Sequence, residues 1–114
     1  MKGKIINTTN MDWKPHPNPD CKGAFVKLII DASTDENLKT LVVKLQPGGE
    51  IPLHTHPTLE LFYIMEGEGI VTINDTEQKV TPGDAIYAPT GSVHGIRNES
   101  SEDVYFIANF APAK

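Results

Sequence analysis

Two histidines and a glutamate lie close together near the middle of the chain: His54, His56 and Glu60. Alternate side chains of an extended strand share a face, so the spacing of the two histidines predicts that both imidazoles point the same way. Pro57 favours a bend, and residues 59–65 then form a second predicted strand, which returns Glu60 toward the imidazoles. Two neutral nitrogens and one anionic oxygen on a rigid wall are suitable ligands for a divalent transition metal.

A third histidine, His94, stands at the start of another predicted strand, shortly after Gly91. If that strand neighbours those carrying His54 and Glu60, the set becomes three histidines and one glutamate. Such a set leaves two open positions on a six-coordinate ion. The sequence therefore indicates a metal site with room for a ligand.

The N-terminal arm, residues 1–22, contains the fourth histidine, His16. Pro15, Pro17 and Pro19 surround it, and three prolines in five positions exclude helix and regular sheet. We therefore predict an irregular or polyproline-like arm, with His16 as a solvent-exposed loop residue rather than a metal ligand.

Short apolar segments separated by turn residues make up most of the remaining chain. No segment of ten or more residues shows the apolar period of a helix, whereas nine glycines and nine prolines punctuate the sequence. Residues 47–49 (Pro-Gly-Gly) are expected to stop a strand, residues 74–77 to form a hairpin turn, and Pro82-Gly83 to form a type II turn. The expected strands cover residues 23–30, 38–45, 59–65, 70–73, 78–81, 84–88, 93–98 and 104–110. This pattern predicts one all-β domain over residues 1–114, a sandwich or small barrel with little or no helix.

Composition excludes several classes of partner. The formal net charge is −5 and the basic residues are scattered, which argues against binding to nucleic acid or to an anionic membrane surface. The sequence contains neither an apolar signal region at its start nor an apolar run of about 18 residues, so neither secretion nor membrane spanning is indicated. Cys21, the single cysteine, has no partner for an intramolecular disulfide. A cytoplasmic location is the expectation.

The spacing of these residues resembles two motifs of the cupin superfamily, in particular those of small single-domain cupins with a cupin 2-like conserved barrel. The first motif is a glycine, five residues, His-x-His, three or four residues, a glutamate, six residues and a glycine. In residues 48–67 its positions are Gly48, His54, His56, Glu60 and Gly67. The second motif, in residues 83–98, has its positions at Gly83, Pro89, Gly91, His94 and Asn98.

The resemblance implies a small antiparallel β-barrel, or double-stranded β-helix (jelly roll), with one divalent transition metal per chain. The metal would be Fe, Mn, Ni or Zn, and its ligands would be His54, His56, Glu60 and His94. It also implies a small-molecule ligand or substrate, and a homodimer that exchanges an N-terminal strand from residues 1–30.

Strand parity adds expectations about neighbouring residues. Phe62 shares the parity of Glu60, and Ile96 that of His94, so both are expected to form an apolar wall of a substrate pocket. Asn98 also has inward parity, and we expect it to bond loop backbone. Arg97 has the opposite parity and is expected to face outward.

Several functions fit such a site. The first is a mononuclear oxidoreductase, dioxygenase-like, acting on a small oxygen-rich molecule. We favour it because the acids nearest the first motif (Glu50, Glu66 and Glu68) lie in or near predicted turns, which leaves no second inward acid or base for proton transfer. A cupin decarboxylase or isomerase, a non-catalytic module that binds a metal and a small ligand, and a purely structural ion are the alternatives.

Overall fold

One long strand, β3, connects the two halves of a curled antiparallel sheet. A computed structural model describes residues 2–113, and the part of the chain that it describes contains nine strands and no helix, hence none that could cross a membrane. The strands are β1 (Lys14–Pro15), β2 (Lys22–Ile30), β3 (Lys39–His54), β4 (Leu59–Glu66), β5 (Gly69–Ile73), β6 (Thr76–Val80), β7 (Ala85–Ala88), β8 (His94–Arg97) and β9 (Val104–Ala111).

Each half of β3 belongs to a different side of the fold. Its first half lies between β2 and β9, and the sheet continues from β9 through β4 to β7. Its second half pairs with β8, which leads through β5 to β6. All of these pairs are antiparallel, so the sheet folds over itself as in a jelly roll. The predicted all-β class with little or no helix is confirmed.

Side chains alternate between a buried and an outer face along the first half of the sheet. Leu41, Val43 and Leu45 of β3 lie on the buried face, opposite inward residues of β9 and β2. The next inward position toward the open end of the sheet is Lys39, which pairs with Phe110, and Phe110 in turn pairs with Glu60 of β4. The apolar interior is therefore followed, at the open end of the sheet, by a row of paired residues that includes the charged Lys39 and Glu60.

Residues 47–49 bend β3 but do not end it, contrary to the sequence-based expectation. The register against β2 jumps from Ala24 opposite Leu45 to Lys22 opposite Glu50, which marks a β-bulge in β3. Gly48 adopts φ +78°, a conformation that glycine enters without steric cost. The strand resumes after the bulge and delivers His54 at its end.

The N-terminal arm is more ordered than its prolines predict. Lys14 and Pro15 form the short edge strand β1, where a missing N–H is tolerated, and the amide of His16 donates to the Ala24 carbonyl at 2.9 Å. Trp13 also holds the arm in place, because the Lys27 and Lys44 ammonium groups lie 4.5 Å and 4.8 Å from its ring centroid.

The two predicted turns are present, one of them tighter than expected. Only Asn74 and Asp75 separate β5 from β6, and their φ values of 52° and 60° are those of a two-residue type I′ turn. Gly83 has φ +98°, and the amide of Asp84 donates to the Thr81 carbonyl at 3.0 Å, as the predicted type II turn requires.

Gly67 and Gly91 separate two costs of replacing a glycine: the steric clash of a Cβ atom and the strain of a positive φ. Both adopt φ +79°, but a Cβ atom at Gly67 would overlap the backbone carbonyl oxygen of Asp103, whereas one at Gly91 would meet nothing within 4 Å. Gly67→Ala is therefore expected to lower the free energy of unfolding by about 2 kcal/mol more than Gly91→Ala, measured by urea unfolding. Equal losses in the two variants would contradict the close approach at Gly67.

Candidate metal centre

Four side chains that are far apart in the sequence meet at the open end of the curled sheet. One ligand atom from each of His54, His56, Glu60 and His94 lies within 4.8 Å of all the others. A single ion with bonds of about 2.1 Å would bring such atoms slightly closer together, which needs only small side-chain adjustments. Glu60 and His94 are buried, with 6% and 2% exposure, and the other two are half-buried.

Three strands and one loop position these four residues. His54 ends β3 and lies directly opposite His94, the first residue of β8, while Glu60 reaches the cluster from β4. His56 lies after the end of β3, in the connection to β4, so the two histidines do not share one strand as the sequence analysis expected. Their ring centroids nevertheless lie 5.3 Å apart.

A backbone carbonyl orients each of the three imidazoles. Nδ1 of His54 lies 2.9 Å from the Pro52 oxygen, and Nδ1 of His94 lies 3.0 Å from the Ser92 oxygen. Nδ1 of His56 makes the same contact to Thr58 at 2.9 Å. A carbonyl only accepts hydrogen bonds, so the neutral rings of His54 and His94 carry their proton on Nδ1 and the lone pair of Nε2 is free. Nδ1 of His56 also lies 2.9 Å from the Thr58 hydroxyl, which can either donate or accept. Metal-binding histidines are commonly held in this way.

The chemistry of the donor set fits a cation. Oε1 of Glu60 lies 2.9 Å from Nε2 of His94 and 3.3 Å from Nε2 of His56. A carboxylate oxygen and an imidazole lone pair repel at these distances unless a proton or a metal ion lies between them. The set of three imidazoles and one carboxylate can therefore hold a divalent metal ion.

The pKa values of two of these histidines shift in opposite directions. Burial lowers the pKa of His54, which favours the neutral, metal-binding form. Burial also lowers the pKa of His94, but the hydrogen bond and the charge of Glu60 outweigh it, so this pKa is raised. A proton on His94 is thus the competitor that a metal ion would displace.

A cavity opens beside the cluster. Its volume is about 40 Å³, it is open on one side, and His54, Glu60 and His94 are among its polar lining. Phe62 and Ile96 lie in its wall, as strand parity predicts. The remaining apolar lining comes from Leu41, Val43, Ile51, Phe106, Ala108 and Phe110. An ion in this cluster would therefore face a small, mainly apolar space.

His16 corrects the sequence-based expectation for the arm. It is half-buried and lines the same cavity, whereas we expected a solvent-exposed loop residue. The interpretation failed because the arm pairs with β2, which carries His16 over the cavity. It does not belong to the four-residue cluster. The cavity therefore contains a titratable side chain besides the four cluster residues, contrary to the expectation that no second inward acid or base exists.

Arg97 and Asn98, at the end of the second motif, lie where strand parity predicts. Arg97 faces outward and pairs with Glu77 and Glu99 of its own chain. Asn98 is buried, and its side chain bonds backbone atoms of Leu45, Glu102 and Ser100.

Lys39 is a residue near the cavity that the sequence did not predict. Its ammonium lies 5.7 Å from the ring centroid of Phe110, a residue of the cavity wall, and its side chain is half-buried. The signal was available, because Lys39 has the parity of Leu41, Val43 and Leu45 on one strand.

Comparison with known proteins places this geometry in a family. The family model described as a cupin domain matches residues 41–110. An uncharacterized protein of Methanocaldococcus jannaschii is 33% identical over 98 residues, which are 83% of this chain and 77% of that protein. An oxalate-binding protein of Thermotoga maritima is 34% identical over 67 residues, 58% of this chain but only 55% of that protein.

Solved structures share the fold at low sequence identity. The polyketide cyclase RemF from Streptomyces resistomycificus has a TM-score of 0.89 at 23% identity, over 99% of this chain and 81% of that one. A predicted oxalate decarboxylase from Thermotoga maritima has a TM-score of 0.86 at 24% identity, over 96% of this chain and 99% of that one. The family model covers more than half of the chain and the fold agrees with it, so the chain belongs to the cupin family.

Proposed function

We propose that this cupin is a mononuclear metal-dependent oxidoreductase, dioxygenase-like, that acts on a small oxygen-rich molecule. The observation that carries the proposal is the cluster of three imidazoles and one carboxylate at the wall of an apolar cavity. Structural zinc sites are usually closed and tetrahedral, often with thiolates, whereas four N and O donors beside a cavity leave positions open to a ligand.

In this proposal His54, His56, Glu60 and His94 hold one Fe, Mn, Ni or Zn ion. The ion would supply Lewis acidity, a template for oxygen ligands and, for iron or manganese, redox chemistry. The chain contributes the fixed orientation of the imidazoles through their Nδ1 bonds and the negative charge of Glu60. The wall that includes Phe62 and Ile96 excludes water from the substrate side.

Two alternatives have support of their own. A non-catalytic module that binds a small ligand through the metal is favoured by the 34% identity to an oxalate-binding protein. A decarboxylase or isomerase is favoured by His16, because such chemistry needs an acid or base within reach of the substrate and His16 lines the cavity. The exposed carboxylates Glu50, Glu66 and Glu68 do not meet that need.

The test begins with elemental analysis of protein purified without oxygen and without a histidine tag. Near-stoichiometric iron or manganese, followed by oxygen uptake with small hydroxy acids, keto acids or diketones, is the result expected for the oxidoreductase. Carbon dioxide release without oxygen uptake would favour the decarboxylase. Ligand binding with no turnover would favour the binding module, and protein that takes up none of the four metals would overturn all three readings.

Three further proposals rest on the family and on the sequence. Residues 1–114 form one cupin domain, the protein is cytoplasmic, and it is a homodimer without nucleic-acid or membrane partners. In the chain described here β2, the strand that a dimer would exchange, pairs with β3 of the same chain. Sedimentation equilibrium tests the dimer, and a monomer at micromolar concentration would contradict it.

A further inference from the structure

We propose that Lys39 and His16 form an anion-binding rim over the metal centre and select a ligand with a carboxylate group. This inference rests on the proposed metal site and assigns a role to two residues outside its ligand set. Lys39 begins β3 beside Phe110, whereas His16 follows β1 and lines the cavity, where the charge of Lys39 acts on it.

Lys39 supplies the positive charge of the rim. Its register partner is Phe110, which also pairs with Glu60, so Lys39 and Glu60 flank the same ring on neighbouring strands. The ammonium lies 5.7 Å from the centroid of that ring, and Phe110 lines the cavity. No carboxylate within the described residues forms an ion pair with Lys39. Its charge is therefore available to an anion at the cavity mouth.

His16 supplies a hydrogen-bond donor. The amide of Asn18 donates to Nδ1 of His16 at 3.1 Å, so the neutral ring carries its proton on Nε2. Among residues 2–113 Nε2 of His16 makes no hydrogen bond, and it is not a fully buried unpaired atom. A carboxylate oxygen in the cavity that His16 lines is a suitable acceptor, because hydrogen bonds to charged groups are the stronger ones.

The arm is built to hold His16 in place. Its amide donates to the Ala24 carbonyl, and three residues earlier the ring of Trp13 contacts the ammonium groups of Lys27 and Lys44. A donor fixed in this way loses little conformational freedom when a ligand binds.

Charge in the cavity favours the same ligand. The groups that act electrostatically on His16 are His54, Glu60 and Lys39, and Glu60 is the only acid among them. A divalent ion at the cluster more than neutralises Glu60, so the cavity with its rim is positive. A molecule that places one oxygen group at the metal and a carboxylate at the rim would complement it.

The experiment uses Mn(II)-loaded full-length protein and malonate as the probe, with binding measured by calorimetry and metal content by elemental analysis. We expect Lys39→Met and His16→Asn each to weaken malonate binding about tenfold, the loss typical of one charged contact, with manganese content unchanged. Asparagine at position 16 can still accept from the Asn18 amide but is too short to replace Nε2. Malonamide, of similar shape but uncharged, should bind wild type and Lys39→Met equally.

Two variants serve as matched controls. Lys79→Met removes the same charge from β6, where Lys79 pairs with Glu68 at the surface, and should leave malonate affinity unchanged. His16→Gln places an amide N–H near the position of Nε2 and should restore most of the affinity lost in His16→Asn. A general effect of charge or of arm disruption would not produce this pattern.

Two results would overturn the inference. If manganese-loaded Lys39→Met and His16→Asn bind malonate as tightly as wild type, the rim does not contact the ligand, although the metal site stands. If the two variants lose manganese, their role lies in the metal site and not at the rim. Wild-type protein that takes up none of manganese, iron, nickel and zinc would instead overturn the proposed function, and this inference with it; if it takes up one of the other three metals, the same variants are compared with that metal.

Discussion

His94→Ala protein is expected to hold its metal at least about 100-fold more weakly than wild type while keeping its β-sheet. Replacement of groups that merely support a metal ligand costs 10- to 100-fold in affinity, so loss of a ligand itself should cost at least the upper value. His94 is buried and contacts Glu60 at 2.9 Å, and no other histidine can take its place at the start of β8. Competition with a chromophoric chelator measures the affinity, and far-UV circular dichroism reports the sheet.

Companion variants separate the ligands from their surroundings. His54→Ala should behave like His94→Ala, and Glu60→Gln should lose affinity through its missing charge while keeping nearly the same shape. His16→Ala is the control from the same cavity, and its metal content should equal that of wild type, since His16 lies outside the cluster. Wild-type affinity in two of the three ligand variants would mean that the site is wrong, and metal loss in His16→Ala would mean that the arm supplies a ligand.

The site was predictable because its ligands carry their own local signals. Two histidines separated by one residue and a glutamate four residues after the second bring three metal-ligating side chains within seven positions. The glycines around this segment indicate turns, as Gly83 with its φ of +98° shows. His94 entered the set only on the condition that its strand neighbours the other two, and the second motif then supported it, because sequence alone does not say that β8 pairs with β3.

The cavity mouth was less predictable because it depends on contacts between distant segments. Three prolines argued against sheet for the arm, but β1 needs only a pair of residues at an edge, where proline is tolerated. Local sequence contains no sign that this edge lies over the cavity, so His16 was assigned to solvent. Lys39 was missed for a different reason: a lysine at the end of an apolar stripe is usually solvated, and only the register with Phe110 and Glu60 gives it a role.

The bulge in β3 shows how one buried side chain supports this arrangement. Asn98 is 1% exposed, and its Nδ2 donates to the Leu45 carbonyl at 2.9 Å and to the Glu102 carbonyl at 2.7 Å. Its Oδ1 accepts from the amide and the hydroxyl of Ser100 at 2.9 Å and 2.7 Å. Its backbone bonds Gly48 and Gly49 across the bulge. One residue thus connects the bend of β3 to the loop between β8 and β9.

Asn98→Ala is therefore expected to lower the free energy of unfolding by about 3 to 4 kcal/mol, because it leaves the buried Leu45 carbonyl and several other groups without partners. Urea unfolding of chelator-treated protein at one fixed concentration measures the loss free of metal binding. Asn109→Ala is the matched control, since Asn109 bonds Thr40 and the Leu61 carbonyl at a more accessible position of β9 and should cost less than about 1 kcal/mol. Similar losses in the two variants would mean that the bulge is held by backbone pairing alone, and the asparagine of the second motif would then need another explanation.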